Sequence, residues 1–241
     1  MPSEKINLRL GLFRSIMDGF RHRPGLTLRH IWTVNPYVRR TCKAFSLKVH
    51  GGAFLQDFIA ASREADMKPF LMWGTLLGYV RESGFLKHDK DIDMGILAAD
   101  WPKRHKLIEA MEKRGYELRQ AREYKMAFVR RDRITQMDID VFFPWEGKMV
   151  CLARERDGSL RGAWFQPHAF DNFRSCTFLG SDVLIPDPPE PVLEASYGDW
   201  RTPVESYSST GNIPNRLAVP AAAQLPELAD TEEPLSTQNE G

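Results

Sequence analysis

The sequence predicts an α+β protein, a mixed sheet flanked by helices and preceded by an amphipathic N-terminal helix. Three observations predict it. Apolar residues recur at intervals of three and four in several stretches, as on one face of a helix; apolar runs of four to eight residues elsewhere carry the two-residue alternation of strands; and the two patterns follow one another as helix, strand, helix, strand, helix, strands.

Ile6, Leu10, Phe13, Met17 and Phe20 form the first stripe, with Lys5, Arg9, Arg14 and Arg21 among them, and His22-Arg23-Pro24-Gly25 ends it. A basic amphipathic helix of this kind suits an anionic membrane surface, or packs on a domain with its cations in water. Phe54 to Ala65 predicts a second helix, and Lys68-Pro69 marks the turn into an apolar strand, Phe70 to Trp73. Gly74-Thr75 opens a short helix to about Glu82, Ile92 to Leu97 reads as a strand, and Trp101 to Arg114 has helical spacing, with Gly115 as its stop. Tyr116 to Arg131 predicts a hairpin and Ile134 to Phe143 a central strand ending at Pro144. Short strands at Lys148–Ala153 and Phe173–Phe178, a proline-stiffened loop over 186–191 and a helix at Val192–Tyr197 follow. Three segments result: a basic helical extension over 1–50, a central folded domain over 51–210, and an acidic tail over 211–241 with too little apolar material to order itself.

Composition narrows the class. With 42% hydrophobic and 27% charged residues in 241, the chain can bury a real core. A net charge of +1 argues against a general nucleic-acid binder, and no nucleic acid is expected as partner. Charge is nonetheless segregated: residues 1–50 hold ten Lys or Arg against Glu4 and Asp18, while five acidic residues and no basic one follow Arg216. Cys42, Cys151 and Cys176 lack the paired spacing of a zinc site or a disulfide framework, which fits a reducing cytoplasm. No run reaches the roughly 20 apolar residues of a membrane span, and no apolar core of a signal peptide is evident.

The chemistry concentrates in two stretches, Trp73–Arg81 with Asp89–Ile96, and Met137–Phe143. Residues two apart on a strand share a face, so Asp91 and Asp93 would present both carboxylates to one site, and Asp138 and Asp140 would do the same on a neighbouring strand. Adjacent carboxylates repel unless a cation intervenes, and hard divalent ions such as Mg2+ or Mn2+ take oxygen ligands while keeping positions for phosphates. An aspartate within an apolar strand is costly unless paired or ligated, which makes Asp91, Asp93 and one of Asp138 and Asp140 candidate metal ligands. A lone Asp-x-Asp is usually a solvated edge; two such pairs, each in apolar strand sequence, favour a metal site. Gly74 and Thr75 stand where backbone amides and a hydroxyl can approach a phosphate, and Arg81 suits a phosphate or one of the carboxylates. Lys87, His88 and Lys90 are further candidate donors. Tyr197 and Trp200 offer aromatic planes for a base or sugar, although core packing is the more frequent fate of such residues.

The stretch from Trp73 to Ile96 resembles the signature of the LicD/fukutin family: a Gly-Thr turn, a Leu-Leu-Gly helix with an Arg, and an Asp-x-Asp strand. Arg81-Glu82 and the run Lys90-Asp91-Ile92-Asp93-Met94-Gly95-Ile96 are most similar to the fukutin branch. The choline-type branch usually carries a Trp and three Asp where this chain has His88, Asp89 and Lys90. Asp138–Pro144 and Leu193–Trp200 resemble further motifs of the family, and the likeness extends from about Phe70 to Pro203. It implies a nucleotidyltransferase-like fold and transfer of a phosphoalcohol, such as ribitol, glycerol or choline phosphate, from a CDP-linked donor to a glycan or lipid-linked glycan hydroxyl. On this reading Asp91 and Asp93 bridge two Mg2+ or Mn2+ ions, and Asp140, with Asp138 in reserve, holds the ion nearer the acceptor and serves as general base. Transfer of a nucleoside monophosphate, or a non-catalytic glycan-binding role, are the alternatives.

Overall fold

The computed structural model of the chain describes residues 36–122, 124–154, 159–203 and 214–219, together with positions 223, 225 and 228. The N-terminal amphipathic stretch and most of the acidic tail lie outside the described residues. A long helix α1 (Pro36–Glu64) leads into β1 (Phe70–Leu71), α2 (Trp73–Glu82) and β2 (Asp91–Leu97). A 3-10 turn (Ala98–Lys103) then runs directly into α3 (Arg104–Lys113), where the sequence predicts one helix. The strands β3 (Tyr116–Arg122), β4 (Lys125–Arg130), β5 (Gln136–Trp145), β6 (Lys148–Arg154) and β7 (Leu160–Phe165) follow. A short turn of 3-10 helix (Pro167–Phe170), the hairpin of β8 (Phe173–Phe178) and β9 (Ser181–Pro186), α4 (Glu190–Tyr197) and β10 (Arg216–Ala218) complete the described chain.

The strands form one mixed sheet flanked by helices, in the order β10-β7-β6-β5-β2-β1-β9-β8, with the β3–β4 hairpin attached to β5. At its centre β2 and β5 run parallel, with Asp93 opposite Asp138 and Gly95 opposite Asp140. Two antiparallel partners share the other side of β5: β4 pairs with its first half and β6 with its second. Ile92, Met94, Ile96, Met137, Ile139 and Val141 are fully buried on one face. The aspartates between them therefore lie on the other. Further along that second face an aromatic cluster closes the core. Phe142 packs against Phe70, Phe165 and Phe170 at centroid distances of 5.5, 5.8 and 5.1 Å. Gly95 makes room for it, because a Cβ there would stand 2.3 Å from the Phe70 ring and 2.9 Å from that of Phe142.

The structure departs from the sequence reading at both ends of the central domain. The boundary drawn at residue 50 falls inside α1, which runs unbroken through Gly51-Gly52. Two glycines in mid-helix disfavour the helix by about 1 kcal/mol each, but Gly51 is needed for contact: a Cβ would stand 2.6 Å from the Phe85 ring. At the other end, residues 216–218 of the supposed tail pair with β7 in antiparallel register, and the buried Asn215 donates its side-chain amide to the Trp164 carbonyl at 2.9 Å. Val219, Leu225 and Leu228 also pack against core residues. Among the described residues no helix is long and apolar enough to cross a membrane. All three cysteines are free thiols.

Candidate active site

Four aspartates meet on the open face of the central strands. Asp91 and Asp93 come from β2 and Asp138 and Asp140 from β5; each keeps part of its surface exposed, so a small ion or a phosphate can reach it. Burial pushes the pKa values of Asp91 and Asp93 up. The negative charge of Asp138 adds to this at Asp91, and those of Asp91, Asp138 and Asp140 add to it at Asp93, the more deeply set of the two. Asp89, in the loop leading into β2, is pushed up to about 6, chiefly by burial. Its carboxylate accepts the Leu86 backbone N–H at 2.9 Å.

Asp138 and Asp140 sit in a different environment. The Lys125 ammonium on β4 is 3.0 Å from Asp138 Oδ2 and 3.4 Å from Asp140 Oδ1. Burial by itself would lower the basicity of Lys125, but Asp140 and Asp138 more than offset it and hold the side chain charged. Gln136 Nε2 donates to Asp138 Oδ1 at 2.6 Å, and Trp73 Nε1 donates to Asp140 Oδ2 at 2.8 Å. Trp73 opens α2 with φ of 46°, a left-handed conformation that a bulky residue adopts only where its surroundings impose it. Lys43 of α1 lies near enough to feel the cluster's charge: burial pulls its ammonium below the usual range, while Asp91 and Asp138 draw it back up.

Gly74 abuts the carboxylates, since a Cβ there would lie 3.0 Å from Asp89 Oδ1 and 3.3 Å from Asp93 Oδ2. Lys90 is close enough to bias Asp89 and Asp91 towards their charged forms. Three other sequence-predicted residues lie differently. Thr75 is fully buried, and its hydroxyl accepts the Asp93 backbone N–H at 2.8 Å, so it ties α2 to β2 and does not present itself to a ligand. Arg81 points away from the carboxylates; its Nη1 donates to the Trp200 carbonyl at 3.4 Å and its Nη2 pairs with Glu82 at 3.2 Å. Trp200 is 7% exposed and carries the Arg201 guanidinium 4.2 Å from its ring centroid, so it packs and offers no open face for stacking. Tyr197 packs, partly buried, against the core.

Sequence reasoning missed Lys125, Lys43, Gln136 and the indole of Trp73. Lys125 had a signal: a tight turn at Asp132-Arg133 sets it opposite Asp140 in the β4–β5 register. Among the described residues no three acidic, His or Cys side chains converge into a ready-made metal cage. Any ion at Asp91 and Asp93 would complete its shell from water and phosphate oxygens.

The family model described as LicD/FKTN/FKRP, nucleotidyltransferase domain, matches residues 66–187, just over half of the chain. The uncharacterized protein RP689 of Rickettsia prowazekii (strain Madrid E) is 24% identical over 179 residues, covering 70% of this chain and 64% of that protein. Ribitol-5-phosphate transferase FKTN of Mus musculus and that of Homo sapiens are each 27% identical over 156 residues, covering 61% of this chain. The match takes in 32% of each of those proteins, so the chain corresponds to about a third of their length. Among solved structures, the crystal structure of ANT(2")-Ia in complex with adenylyl-2"-tobramycin superimposes with a TM-score of 0.42 at 12% identity, over 66% of this chain and 82% of that one. The solution structure of ANT(2'')-Ia gives 0.38 at 13% identity, over 57% and 65%. The matched segment contains β1, α2, β2 and β5 with all four aspartates, and the chain belongs to the LicD/FKTN/FKRP family by its nucleotidyltransferase domain.

Proposed function

We propose that the chain is a metal-dependent phosphotransferase that moves a phosphoalcohol from a CDP-linked donor to the hydroxyl of a glycan. One observation carries the reading: Asp91 and Asp93 stand side by side on a central strand, partly buried, with further carboxylates across from them on a parallel neighbour. Such an arrangement is unfavourable unless a cation completes it. Asp91 and Asp93 would hold the divalent ion, Mg2+ or Mn2+, and Asp140, with Asp138 in reserve, would face it from the neighbouring strand. When bound, the metal would neutralise the donor pyrophosphate and stabilise the departing cytidine monophosphate. The protein's own part is orientation and proton handling. Trp73 and Lys125 fix the Asp140 carboxylate on its strand, from which it would accept the proton of the acceptor hydroxyl. Lys90 and Lys43 add positive charge for the donor phosphates, and Gly74 leaves backbone accessible beside the carboxylates.

The fukutin relatives are named as ribitol-5-phosphate transferases, which favours CDP-ribitol as the first donor to try, with CDP-glycerol and CDP-choline beside it. Incubation with each donor and a glycan acceptor, read by mass spectrometry, should add the mass of a phosphoalcohol. EDTA should abolish the product, and added Mg2+ or Mn2+ should restore it. Addition of a nucleoside monophosphate would reassign the enzyme to nucleotidyl transfer, and turnover unaffected by EDTA would reject the metal.

The basic amphipathic stretch of residues 5–21 supports a second part of the reading, peripheral contact with the inner face of a membrane where a lipid-linked acceptor could be met. The full chain should float with anionic liposomes and much less with neutral ones. Equal flotation with both, or none with either, would count against it.

A further inference from the structure

The four aspartates form two unlike pairs. Every oxygen of Asp138 and Asp140 faces a donor: Gln136 and Lys125 serve Asp138, and Trp73 and Lys125 serve Asp140. Asp91 and Asp93 are treated otherwise, because no described side chain donates a hydrogen bond to their carboxylates or forms an ion pair with them. Strand register holds the first arrangement in place. Lys125 lies directly opposite Asp140. Ala127, two residues on and therefore on the same face, lies opposite Asp138, and its methyl leaves room for the ammonium to lean across to that carboxylate. On its other flank Asp140 faces Gly95, which has no side chain to intervene. The lysine side chain is 23% exposed and its two partners 17% and 14%, so the three shield one another from most of the solvent.

We propose that Lys125 is the site's built-in second cation: the chain takes one divalent ion, on Asp91 and Asp93, and the Lys125 ammonium plays the part of a second ion on Asp138 and Asp140. This rests on the metal-dependent reading above and changes its stoichiometry from the two ions suggested by the sequence alone. The charges support it. Two carboxylates against one divalent ion leave β2 neutral, and the two on β5 are opposed by an ammonium with two neutral donors. A second divalent ion there would have to share its oxygens with a cation already 3.0 and 3.4 Å from them. A lysine presents three donors on a compact charge, which suits bridging two carboxylates more than binding either of them alone. The device also keeps Asp140 oriented in the absence of any ion.

Counting bound Mn2+ on the full chain by electron paramagnetic resonance, with no donor present, tests this. The parent protein should bind one ion. Lys125→Met should bind two, and Lys125→Arg, which keeps the charge, should stay at one. Asp138→Asn should change the affinity for Mn2+ by no more than about three-fold, whereas Asp93→Asn should weaken it by about 100-fold, the scale on which loss of groups at a metal site is felt. Two ions on the parent protein, or a loss for Asp138→Asn equal to that for Asp93→Asn, would overturn the role of Lys125 and leave the metal-dependent reading standing. No Mn2+ bound at millimolar concentration would sink that reading as well. Should Lys125→Met fail to fold, the parent count and the two aspartate variants decide the matter without it.

Discussion

Asp93→Asn is expected to lower turnover by about a thousand-fold or more, while the metal-free variant melts at a higher temperature than its parent. The two effects share one cause. Asp93 is the aspartate most pressed by its surroundings, through burial first and then the charges of Asp91, Asp138 and Asp140. An amide of the same shape removes that repulsion and keeps the backbone N–H that reaches Thr75. Relief of roughly 1–2 kcal/mol would raise the melting temperature by about 2–8 °C in a chain of this size. Activity is lost because the neutral amide is a poor ligand for a hard divalent ion. Thermal melts in EDTA and in Mg2+, set beside a turnover assay, check both halves. If the variant loses several degrees without metal, Asp93 is a structural member of the sheet and its place in the metal site falls.

Phe142→Ala is expected to destabilise the protein by about 3–5 kcal/mol, which urea denaturation would register as a lower midpoint with an unchanged slope. Phe142 is fully buried and touches Phe70, Phe165 and Phe170. Neighbouring rings are held by one another and cannot collapse freely into the space, so most of the cavity would persist. The damage should also reach the site. Phe165 lies 5.8 Å from the Trp73 ring, whose indole fixes Asp140. A variant that keeps full activity at a temperature where it remains folded would show that the aromatic cluster supports the sheet alone and not the orientation of Trp73. A loss below about 1 kcal/mol would mean that the cluster repacks around the gap.

Much of this architecture was legible in the sequence, and the reason is local. The alternation of Ile92, Met94 and Ile96 with Asp91 and Asp93 has one solution, a strand with an apolar face and an acidic one, and the same holds for Met137 to Val141. Sequence pattern stops where placement depends on what an element meets. Arg81 follows Trp73 by eight residues on α2, about 12 Å along the axis at 1.5 Å per residue, and so cannot accompany Gly74 to the carboxylates. The strands β7, β9 and β10 escaped notice because each draws its support from a partner: β10 is three residues long and pairs only through its register with β7. Trp73 was visible as the start of a family signature, but the direction of its indole follows from the 46° φ, which no spacing rule supplies.

Gly51 carries a lesson for anyone wishing to make this protein more robust. By helix propensity it stands with Gly52 at the head of the positions to replace, a glycine in the middle of a 29-residue helix. Yet the ring pressed against it belongs to Phe85, in the segment between α2 and β2 that also holds Asp89 and Lys90. Filling that notch would strengthen α1 and shift the segment leading into the aspartates of β2, so a substitution that improves the helix there also disturbs the approach to the acidic face, which the same change at Gly52 would not. A bare spot on one element serves here as the seat of another.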